Sequence, residues 1–232
     1  MSNQDKGRPS SRAIVGFAVY LLLGPIILFI AAGTLKWPWA WAYVLLGWVA
    51  TFGSRLLVWR ISPDTLRERG RFGEVEAPSW DRLLGPIVGM LGPLVIGLVA
   101  GLDHRFGWSR VPASVQWAAA LALVAAYAFA TWALAANRYF SAVARIQSDR
   151  GQTVVSSGPY ALVRHPAYAS SLVGSVAMAL MLGSLAGLIP AAGMIAALIA
   201  RTKLEDEMLQ AGLPGYADYA ARVRYRLIPG VW

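Results

Sequence analysis

Long apolar runs are the feature of this sequence that most constrains its fold. Residues 13–33, 83–102 and 113–136 each supply about the 20 apolar residues that a helix needs to cross a bilayer. With 57% hydrophobic and 14% charged residues, the 232-residue chain is also too apolar for an ordinary soluble domain. The sequence therefore predicts an all-α, polytopic transmembrane helical bundle that forms one domain over residues 1–232.

About six membrane segments are predicted. Residues 1–136 would hold a polar tail and four spans, of which the second follows an aromatic belt at residues 37–41 and ends near Val58. The third span is rich in glycine and proline, so we expect it to bend. Residues 60–82, between the second and third spans, carry mixed charges and predict a loop with one short surface helix.

The C-terminal region, residues 137–232, begins with a polar segment and continues with two shorter apolar runs. These runs, 168–182 and 185–200, are separated by a Gly-Ser pair and predict a helical hairpin that forms the last two membrane segments. The second helix is expected to continue outside the membrane, because helix-forming residues follow without interruption as far as Gly212.

The distribution of basic residues predicts the orientation of the bundle. With the N-terminus inside and six spans, 18 of the 21 Lys and Arg fall on the cytoplasmic side, and only Lys36, Arg105 and Arg110 fall outside. Both termini and the catalytic face are then cytoplasmic, in what is expected to be a bacterial inner membrane. Residues 1–12 are polar and predict a cytoplasmic tail before a retained first span.

Composition argues against several classes of function. The chain has no cysteine, which removes disulfides, thiolate metal sites and cysteine catalysis, and its 2 histidines and 12 acids are too scattered to predict a metal site. The formal charge of +9 resides in loops between spans, where it suits anionic lipid headgroups better than nucleic acid. Almost no ionisable residues lie within the spans, in contrast to what a transporter or channel requires.

A polar segment between two apolar regions, residues 157–168, is the first candidate for chemistry. Pro166 suits the first position of the following helix, with His165 near its cap. Free N–H groups at a helix start can receive an anion, and Arg164 and His165 add donors beside them. The alternative is a polar turn that re-enters the membrane, with Arg164 extending its charge to the interface.

A second polar cluster lies where the chain leaves the hairpin. Arg201 and Glu205 are four residues apart and share a helix face. Because a hairpin returns both of its ends to one membrane face, this pair is expected to meet Arg164 and His165 in space. The alternative is a solvated salt bridge just outside the membrane, which is common and weak.

Several short motifs occur together within residues 137–229. They are residues 137–141, 145–147, 154–160, 164–166 and 168 before and at the start of the hairpin, 201, 205 and 209 on its exit helix, and 216, 219 and 228–230 in the tail. In combination they resemble the isoprenylcysteine carboxyl methyltransferase family. Asp206 replaces a second consecutive glutamate of that family, and residues 213–220 lack its usual Phe-Gly. Neither departure is expected to touch Arg164, His165, Arg201 or Glu205.

The resemblance implies an integral-membrane methyltransferase that uses S-adenosylmethionine and releases S-adenosylhomocysteine. It implies no Rossmann domain, and the sequence has no G-x-G-x-x-G after a strand. No metal is expected, because the histidines and acids are scattered. The family builds its cofactor site from the segment before the hairpin, the motif that leads into it and a glutamate on the exit helix. The cofactor-binding residues carried over on this basis are Gln147, Val154, Tyr160, His165, Pro166, Tyr168 and Glu205.

These residue types match the groups that S-adenosylmethionine carries, namely a carboxylate, an ammonium, a sulfonium and an adenosine. His165 would take the carboxylate, and Glu205 the ammonium or the ribose. Tyr160 or Tyr168 would contact a ring or the sulfonium. In-line methyl transfer then requires mainly alignment and exclusion of water.

Catalytic roles are assigned to Arg201, Glu205 and Arg164. A carboxylate acceptor of the isoprenylcysteine type needs no base, so Arg201 would orient it. A thiol, phospholipid or amine acceptor would need deprotonation, for which Glu205 or a tyrosine is available. The expected partners are membrane lipids and a lipophilic or small acceptor that enters from the bilayer. Rival functions are a transporter and a lipid-binding protein that has kept the fold without turnover.

Overall fold

The computed structural model describes residues 11–70 and 76–232, and these ranges contain helices and no strand. The predicted all-α class is therefore confirmed for the described part of the chain. The predicted polar tail lies almost wholly outside it, as do residues 71–75 of the predicted charged loop. The α-helices are α1 (Ser11–Ala32), α2 (Pro38–Ile61), α3 (Pro63–Gly70), α4 (Ser79–Pro86), α5 (Gly92–Phe106), α6 (Ala113–Ala136), α7 (Pro166–Met181), α8 (Leu188–Gly212) and α9 (Tyr216–Arg222).

Helices α4 and α5 form one helical unit, Ser79–Phe106, that is interrupted by a π-helical turn at Ile87–Leu91. Prolines flank this turn, with Pro86 at the end of α4 and Pro93 in the first turn of α5. A proline donates no backbone hydrogen bond and clashes with the preceding helical turn. The extra residue of the π turn therefore accommodates the missing backbone hydrogen bond and the clash. The irregularity expected in the third span is this π turn.

The charged stretch between the second and third spans differs from its predicted form. Helix α3 is the predicted short helix, but α4 begins at Ser79 within the stretch that was predicted as loop. Asp81 is consequently a helical residue in the first turn of α4, and it is buried. Pro78 precedes that turn, where its fixed φ and missing N–H suit a helix start.

The predicted helical hairpin is confirmed. Helix α7 begins at Pro166 with His165 as its N-cap residue, and the chain reverses through Gly183, whose φ of 77° favours glycine. Helix α8 then runs uninterrupted for 25 residues, from the apolar half that packs on α7 to the charged half beyond Ala200. The hairpin therefore delivers the start of α7 and the second half of α8 to the same end of the bundle.

The core joins the first two helices to the hairpin. Helix α7 contacts α5, α6 and α8, and α1 packs along α5. At that α1–α5 contact a Cβ on Gly101 would lie only 2.6 Å from the carbonyl oxygen of Leu28, so close packing depends on glycine. The buried residues that join α1, α2, α5, α7 and α8 include Leu28, Ala40, Val44, Ile96, Met178, Met194 and Leu198.

Within residues 11–70 and 76–232, three helices are long and apolar enough to cross a membrane: Pro38–Ile61, Ser79–Phe106 and Ala113–Ala136. Gly16–Ala32 and Pro166–Met181 are shorter apolar helices. Large apolar side chains are exposed on the outer faces of these helices, among them Ile30, Val49 and Leu121 at 70% or more. This surface suits lipid, which supports a membrane protein. The count of six spans and the cytoplasmic orientation stay predictions.

Candidate functional site

One face of α8 is apolar in its first half and carries ionisable residues in its second half, and both halves of this face are buried or half-buried. Ala191, Met194 and Leu198 recur at helical spacing and pack into the core. The same periodicity continues into Arg201 and Thr202, which are buried, and then into Glu205 and Asp206. The charged half of α8 is thus held against other elements, and the predicted alternative of a solvated salt bridge is wrong for Arg201.

The first assembly on this face, here called the Glu205 cluster, comprises Glu205, Tyr168, Arg201 and Asp81. The Tyr168 hydroxyl on α7 donates a hydrogen bond to Oε2 of Glu205. The Arg201 guanidinium lies over the Tyr168 ring, with Cζ 5.2 Å from the ring centroid, in a cation–π arrangement. Nε of Arg201 donates to Oδ1 of Asp81 at 2.7 Å. The start of α7 and the second half of α8 therefore meet through Tyr168.

Asp81 is the member of this cluster that sequence reasoning missed. Its side chain is 3% exposed, and while Oδ1 accepts from Arg201, Oδ2 accepts the backbone N–H of Ala144 at 2.9 Å. Nη2 of Arg201 reaches the carbonyl of Ala142 at 3.3 Å. One carboxylate thus joins α4, the segment before the hairpin and α8. The available signal was an isolated acid immediately before an apolar span, which is costly unless paired.

The second assembly, the Asp206 cluster, surrounds a carboxylate that is fully buried. Arg164 binds Asp206 in a bidentate pair, through Nε at 2.7 Å and Nη2 at 2.9 Å. Nε2 of His165 lies 3.3 Å from Oδ1 of the same carboxylate. The remaining donors to Asp206 are the Tyr216 hydroxyl, Nε2 of Gln210 and Nε of Arg226.

The convergence of the two hairpin ends is confirmed, but with partners other than those predicted. Arg164 and His165 bind Asp206 directly, and the ring of His165 stacks on Tyr168 at 5.6 Å between centroids. That stack joins the Asp206 cluster to the Glu205 cluster. The expectation that the substitution at position 206 leaves Arg164 and His165 untouched is therefore wrong, because Asp206 is their shared partner.

Arg164 also fastens the C-terminal tail to this site. Its Nη1 donates to the carbonyls of Val223 and Arg224, and its backbone N–H donates to the carbonyl of Tyr225. All three guanidinium nitrogens of Arg164 are hence engaged within the protein. The predicted alternative, in which Arg164 extends its charge toward the membrane surface, is wrong, since the side chain is 5% exposed and paired.

The electrostatics of the Asp206 cluster favour an ionised Asp206. Burial by itself would raise the pKa of this carboxyl, but hydrogen bonds from His165, Arg164 and Arg226 hold the pKa of Asp206 far below its usual range. Burial raises the pKa of Tyr216, and the adjacent Asp206 charge raises it further. Asp206 is therefore the fixed negative charge of this cluster and Tyr216 is a neutral donor to it.

The other predicted cofactor residues line the segment before the hairpin. Gln147 is 1% exposed, and both ends of its amide are used: Nε2 donates to the Tyr139 carbonyl and Oε1 accepts from Arg150. Val154 packs with Tyr160 in a cluster that includes α9. No described contact brings Gln147 or Val154 to Glu205, so in this structure Gln147 holds the shape of its own loop.

Tyr160 lies nearer to the Glu205 cluster. Its hydroxyl accepts a hydrogen bond from Nδ2 of Asn137 at 3.1 Å, and its carbonyl accepts from the Tyr219 hydroxyl at 2.7 Å. Burial raises the pKa of Tyr160, and the negative charge of Glu205 raises it further. Pro166, also predicted as a cofactor contact, fills the first helical position of α7 and leaves the helix start without one N–H.

The residues around Glu205 fit the cationic part of S-adenosylmethionine. Glu205 is half-buried and its carboxylate accepts the hydroxyl of the aromatic Tyr168, while the Glu205 charge acts on Tyr160. Fewer donors than predicted remain for the carboxylate of the cofactor, because Arg164 and Nε2 of His165 already contact Asp206. Nδ1 of His165 has no partner within the described part of the chain. Within the same part, no group of three or more His, Cys, Asp or Glu could hold a metal.

A helical, lipid-suited bundle with two buried ionic clusters at one end defines a polytopic membrane protein with a candidate site at that end. Residues 118–211 match the sequence model of the isoprenylcysteine carboxyl methyltransferase family, which confirms the predicted resemblance. The chain is thus isoprenylcysteine carboxyl methyltransferase-like from α6 to α8. The match contains both clusters except Asp81 and the tail residues, and it starts and ends earlier than residues 137–229.

A curated relative is similar over part of this region. The cobalt-zinc-cadmium resistance protein CzcN of Cupriavidus metallidurans is 37% identical over 78 residues, which is 33% of this chain and 36% of CzcN. The chain thus matches about a third of that relative's length. The name of CzcN describes resistance to three metals, whereas the name of the matched family describes carboxyl methylation.

Proposed function

We propose that this protein is an integral-membrane methyltransferase that transfers the methyl group of S-adenosylmethionine to the carboxylate of a lipophilic acceptor of the isoprenylcysteine type. The observation that carries the proposal is the Glu205 cluster, in which an anion, an aromatic ring and a cation stand side by side. Its members Tyr168, Arg201 and Glu205 lie on α7 and α8, inside the family match, whereas Asp81 lies on α4 outside it. The cluster borders apolar helices suited to lipid. A cytoplasmic location of this face, in a bacterial inner membrane, belongs to the same proposal.

Glu205 and Tyr168 are assigned to the cofactor. The half-buried carboxylate of Glu205 would bind the ammonium or ribose hydroxyls, because a partly desolvated anion holds a cation more strongly than a solvated one does. The Tyr168 ring would face the sulfonium, as aromatic faces attract cations. Nδ1 of His165 would meet the cofactor carboxylate, with Tyr160, Gln147, Val154 and Pro166 completing the walls on the side of the segment before the hairpin.

Arg201 is assigned to the acceptor carboxylate. Its Nε and Nη2 are anchored, by Asp81 and by the carbonyl of Ala142, while Nη1 has no hydrogen bond to a described residue. A guanidinium held in this way presents its remaining donors in a fixed direction, which lowers the entropic cost of orienting the acceptor. Asp81 is in this scheme a positioning residue for Arg201.

When bound, S-adenosylmethionine supplies an electrophilic methyl group and accepts the electron pair of the broken C–S bond. A carboxylate acceptor attacks with its own lone pair and releases no proton, so the protein needs no general base. The chain's residues bind both reactants, align them and keep water away. Arg164 acts through Asp206 here, since it holds the tail and the start of α7 in place and does not face the Glu205 cluster.

The cationic Arg201 favours a carboxylate over an amine acceptor, because a protonated amine beside it would be repelled. A thiol or phospholipid amine acceptor, the alternative within the same class, would need Glu205 or a tyrosine to remove its proton. A transporter or a lipid-binding protein without turnover would bind no S-adenosylmethionine or would bind it without consuming it.

The proposal is tested first by S-adenosylmethionine binding to the full chain in lipid nanodiscs, measured by calorimetry. Glu205→Gln and His165→Ala should weaken binding by roughly tenfold or more each, the size expected for losing a charge-assisted hydrogen bond. Glu207→Gln is the matched control, since Glu207 is on the same helix but exposed, with only a 3.9 Å pair to Lys203. A folded wild-type protein that does not bind in nanodiscs would overturn the cofactor assignment.

Transfer itself is measured with tritiated S-adenosylmethionine and N-acetyl-S-farnesylcysteine as the acceptor probe. Arg201→Gln should raise the KM for this acceptor at unchanged S-adenosylmethionine affinity. A chain that binds the cofactor and methylates an amine or thiol probe instead would keep the class of enzyme and replace the acceptor. Cofactor binding without transfer to any of the three probes would contradict the proposed activity.

A further inference from the structure

A cavity of about 430 Å³ lies at the other end of the bundle from the Glu205 cluster. It borders Asp103, near the end of α5, whereas Asp81 of the Glu205 cluster is at the start of α4. Both residues belong to the helical unit Ser79–Phe106, and a rise of about 1.5 Å per residue separates them by roughly 30 Å. This cavity therefore cannot be part of the proposed methyl-transfer site.

The floor of the cavity, here meaning Asp103 and its partners, is held together by hydrogen bonds. Asp103 is 2% exposed, and its carboxylate accepts hydrogen bonds from the backbone N–H and hydroxyl of Ser109, each at 2.7 Å, and from the hydroxyl of Ser184. These bonds tie the end of α5 to the loop before α6 and to the turn between α7 and α8. Nε2 of Gln116 adds a bond to the Met181 carbonyl at 3.1 Å.

The walls of the cavity are aromatic. Trp37 is buried and stacks on His104, with ring centroids 4.0 Å apart and planes within 7°. Trp39 packs edge-on against Trp117 at 4.9 Å. Tryptophans of this kind are enriched at membrane–water interfaces, where one side of the ring meets hydrocarbon and the other meets headgroups.

Two cations line the cavity and have no ion-pair partner within the described part of the chain. They are Lys36 and Arg110, both exposed. Asp103 is the acidic residue among the described lining residues, and its oxygens are occupied by the donors of the floor. The cavity therefore carries a net positive charge that is open to a ligand.

These cations are unusual for their end of the bundle. Of the 21 Lys and Arg in the chain, only Lys36, Arg105 and Arg110 are assigned to this side, and two of those three line one cavity. Arg105 instead lies against Gly33 and the ring of Phe106. Basic residues are rare on the non-cytoplasmic side of membrane proteins. Two of them at one cavity on the side predicted to be non-cytoplasmic therefore indicate that the cavity binds an anion.

We propose that this cavity binds a phosphate group through Lys36 and Arg110, with the apolar remainder of a lipid ligand against the half-buried Trp39. A phosphate matches both the point charge of lysine and the forked donors of arginine. Two sources share this chemistry, an anionic phospholipid headgroup and a soluble phosphate. The proposal stands apart from methyl transfer and does not depend on it.

The test is native mass spectrometry of the detergent-purified full chain, titrated with phosphatidylglycerol and, separately, with phosphatidylcholine of the same acyl chains. We expect phosphatidylglycerol to bind roughly ten- to thirtyfold more tightly, the preference expected from two interfacial cations. The double variant Lys36→Gln/Arg110→Gln should lose that preference. Arg105→Gln is the matched control, since it removes a charge from the same end without touching the lining, and should keep it.

Inorganic phosphate distinguishes the two sources. If it displaces phosphatidylglycerol from the wild type, or binds there and not to the double variant when no lipid is added, the source includes soluble phosphates. If it does neither while the lipid preference holds, the ligand is a lipid headgroup. Equal binding of the two lipids together with no phosphate binding would overturn the proposal, as would equal losses in the double variant and Arg105→Gln. Thermal melting verifies that each variant is folded.

Discussion

Glu205 and Asp206 are neighbours in sequence but serve different clusters. Successive residues of a helix are turned by about 100°, so Glu205 reaches Tyr168 while Asp206 reaches Arg164 and His165. Asp206 is enclosed by donors, whereas Glu205 is half-buried. At the scale of single residues, this separates a carboxylate held by the protein from the one that we propose meets the cofactor.

Substitution at Asp206 should destabilise the protein in a pH-dependent way. Asp206→Asn leaves Arg164 buried without its counter-charge, which costs about 3–5 kcal/mol. Because the folded pKa of Asp206 is lowered, its stabilising effect is complete above the usual carboxyl pKa of about 4 and is lost as pH falls below that value. The difference in melting temperature between the two proteins should therefore be largest above pH 5 and begin to narrow as pH falls below about 4.

The conservative variant Asp206→Glu keeps the carboxylate and should retain most of the stability that Asp206→Asn loses. A gap between wild type and Asp206→Asn that stays constant from pH 7 to pH 3 would contradict the ionised, buried Asp206 described here.

Asp81 should control how Arg201 is oriented. Asp81→Asn removes the charge that anchors Nε of Arg201, so the acceptor KM should rise by roughly 10- to 100-fold, while S-adenosylmethionine affinity stays unchanged. Steady-state transfer to N-acetyl-S-farnesylcysteine, with calorimetry alongside, measures both quantities. Asp149→Asn is the control, because Asp149 is an exposed acid paired with Arg145 away from the Glu205 cluster. A parallel loss of cofactor affinity would indicate a general structural role.

At the scale of helices, a few close contacts determine how the helices pack against one another. Helix α1 approaches α5 at Gly101, and the hairpin of α7 and α8 presents its two ends to the same polar cluster. The π turn between α4 and α5 lets one helical unit carry Asp81 at its start and Asp103 near its end. Both ends of that unit hold buried carboxylates, so each end is fixed by ionic or hydrogen-bonded contacts to other elements.

Gly101→Ala should destabilise the α1–α5 contact by about 1–3 kcal/mol, because the added Cβ would lie 2.6 Å from a backbone carbonyl that cannot easily move. Gly193 on α8 is the matched control, since no atom lies within 4 Å of its ideal Cβ. Gly193→Ala should stabilise the helix by up to about 1 kcal/mol. Thermal melting in one detergent compares the two, and equal effects would contradict the close approach.

For the whole molecule, the separation of charge between the two ends predicts the topology. The six-span prediction assigns 18 of the 21 Lys and Arg to the side that holds both ionic clusters, and this side is expected to face the cytoplasm. The opposite end would carry the proposed phosphate site. The proposed enzyme would then have a catalytic face and a separate headgroup face.

This orientation can be measured directly because the chain has no cysteine. Single substitutions Lys203→Cys and Arg110→Cys each introduce one exposed thiol, at opposite ends of the bundle. In intact spheroplasts a membrane-impermeant maleimide should label Arg110→Cys at once and Lys203→Cys only after lysis. The reverse pattern would invert the topology, and labelling of both before lysis would show that these positions share one side.

The sequence by itself determined the helical class and the hairpin, and it located the region of the family resemblance. Apolar runs, prolines at helix starts and glycine at the hairpin turn act locally, so they can be read without knowing the fold. The tertiary structure alone decided the partners. Asp81 meets Arg201 across 120 residues, and Asp206, not Glu205, binds Arg164, because such pairs depend on how helices rotate and pack, which no local pattern encodes.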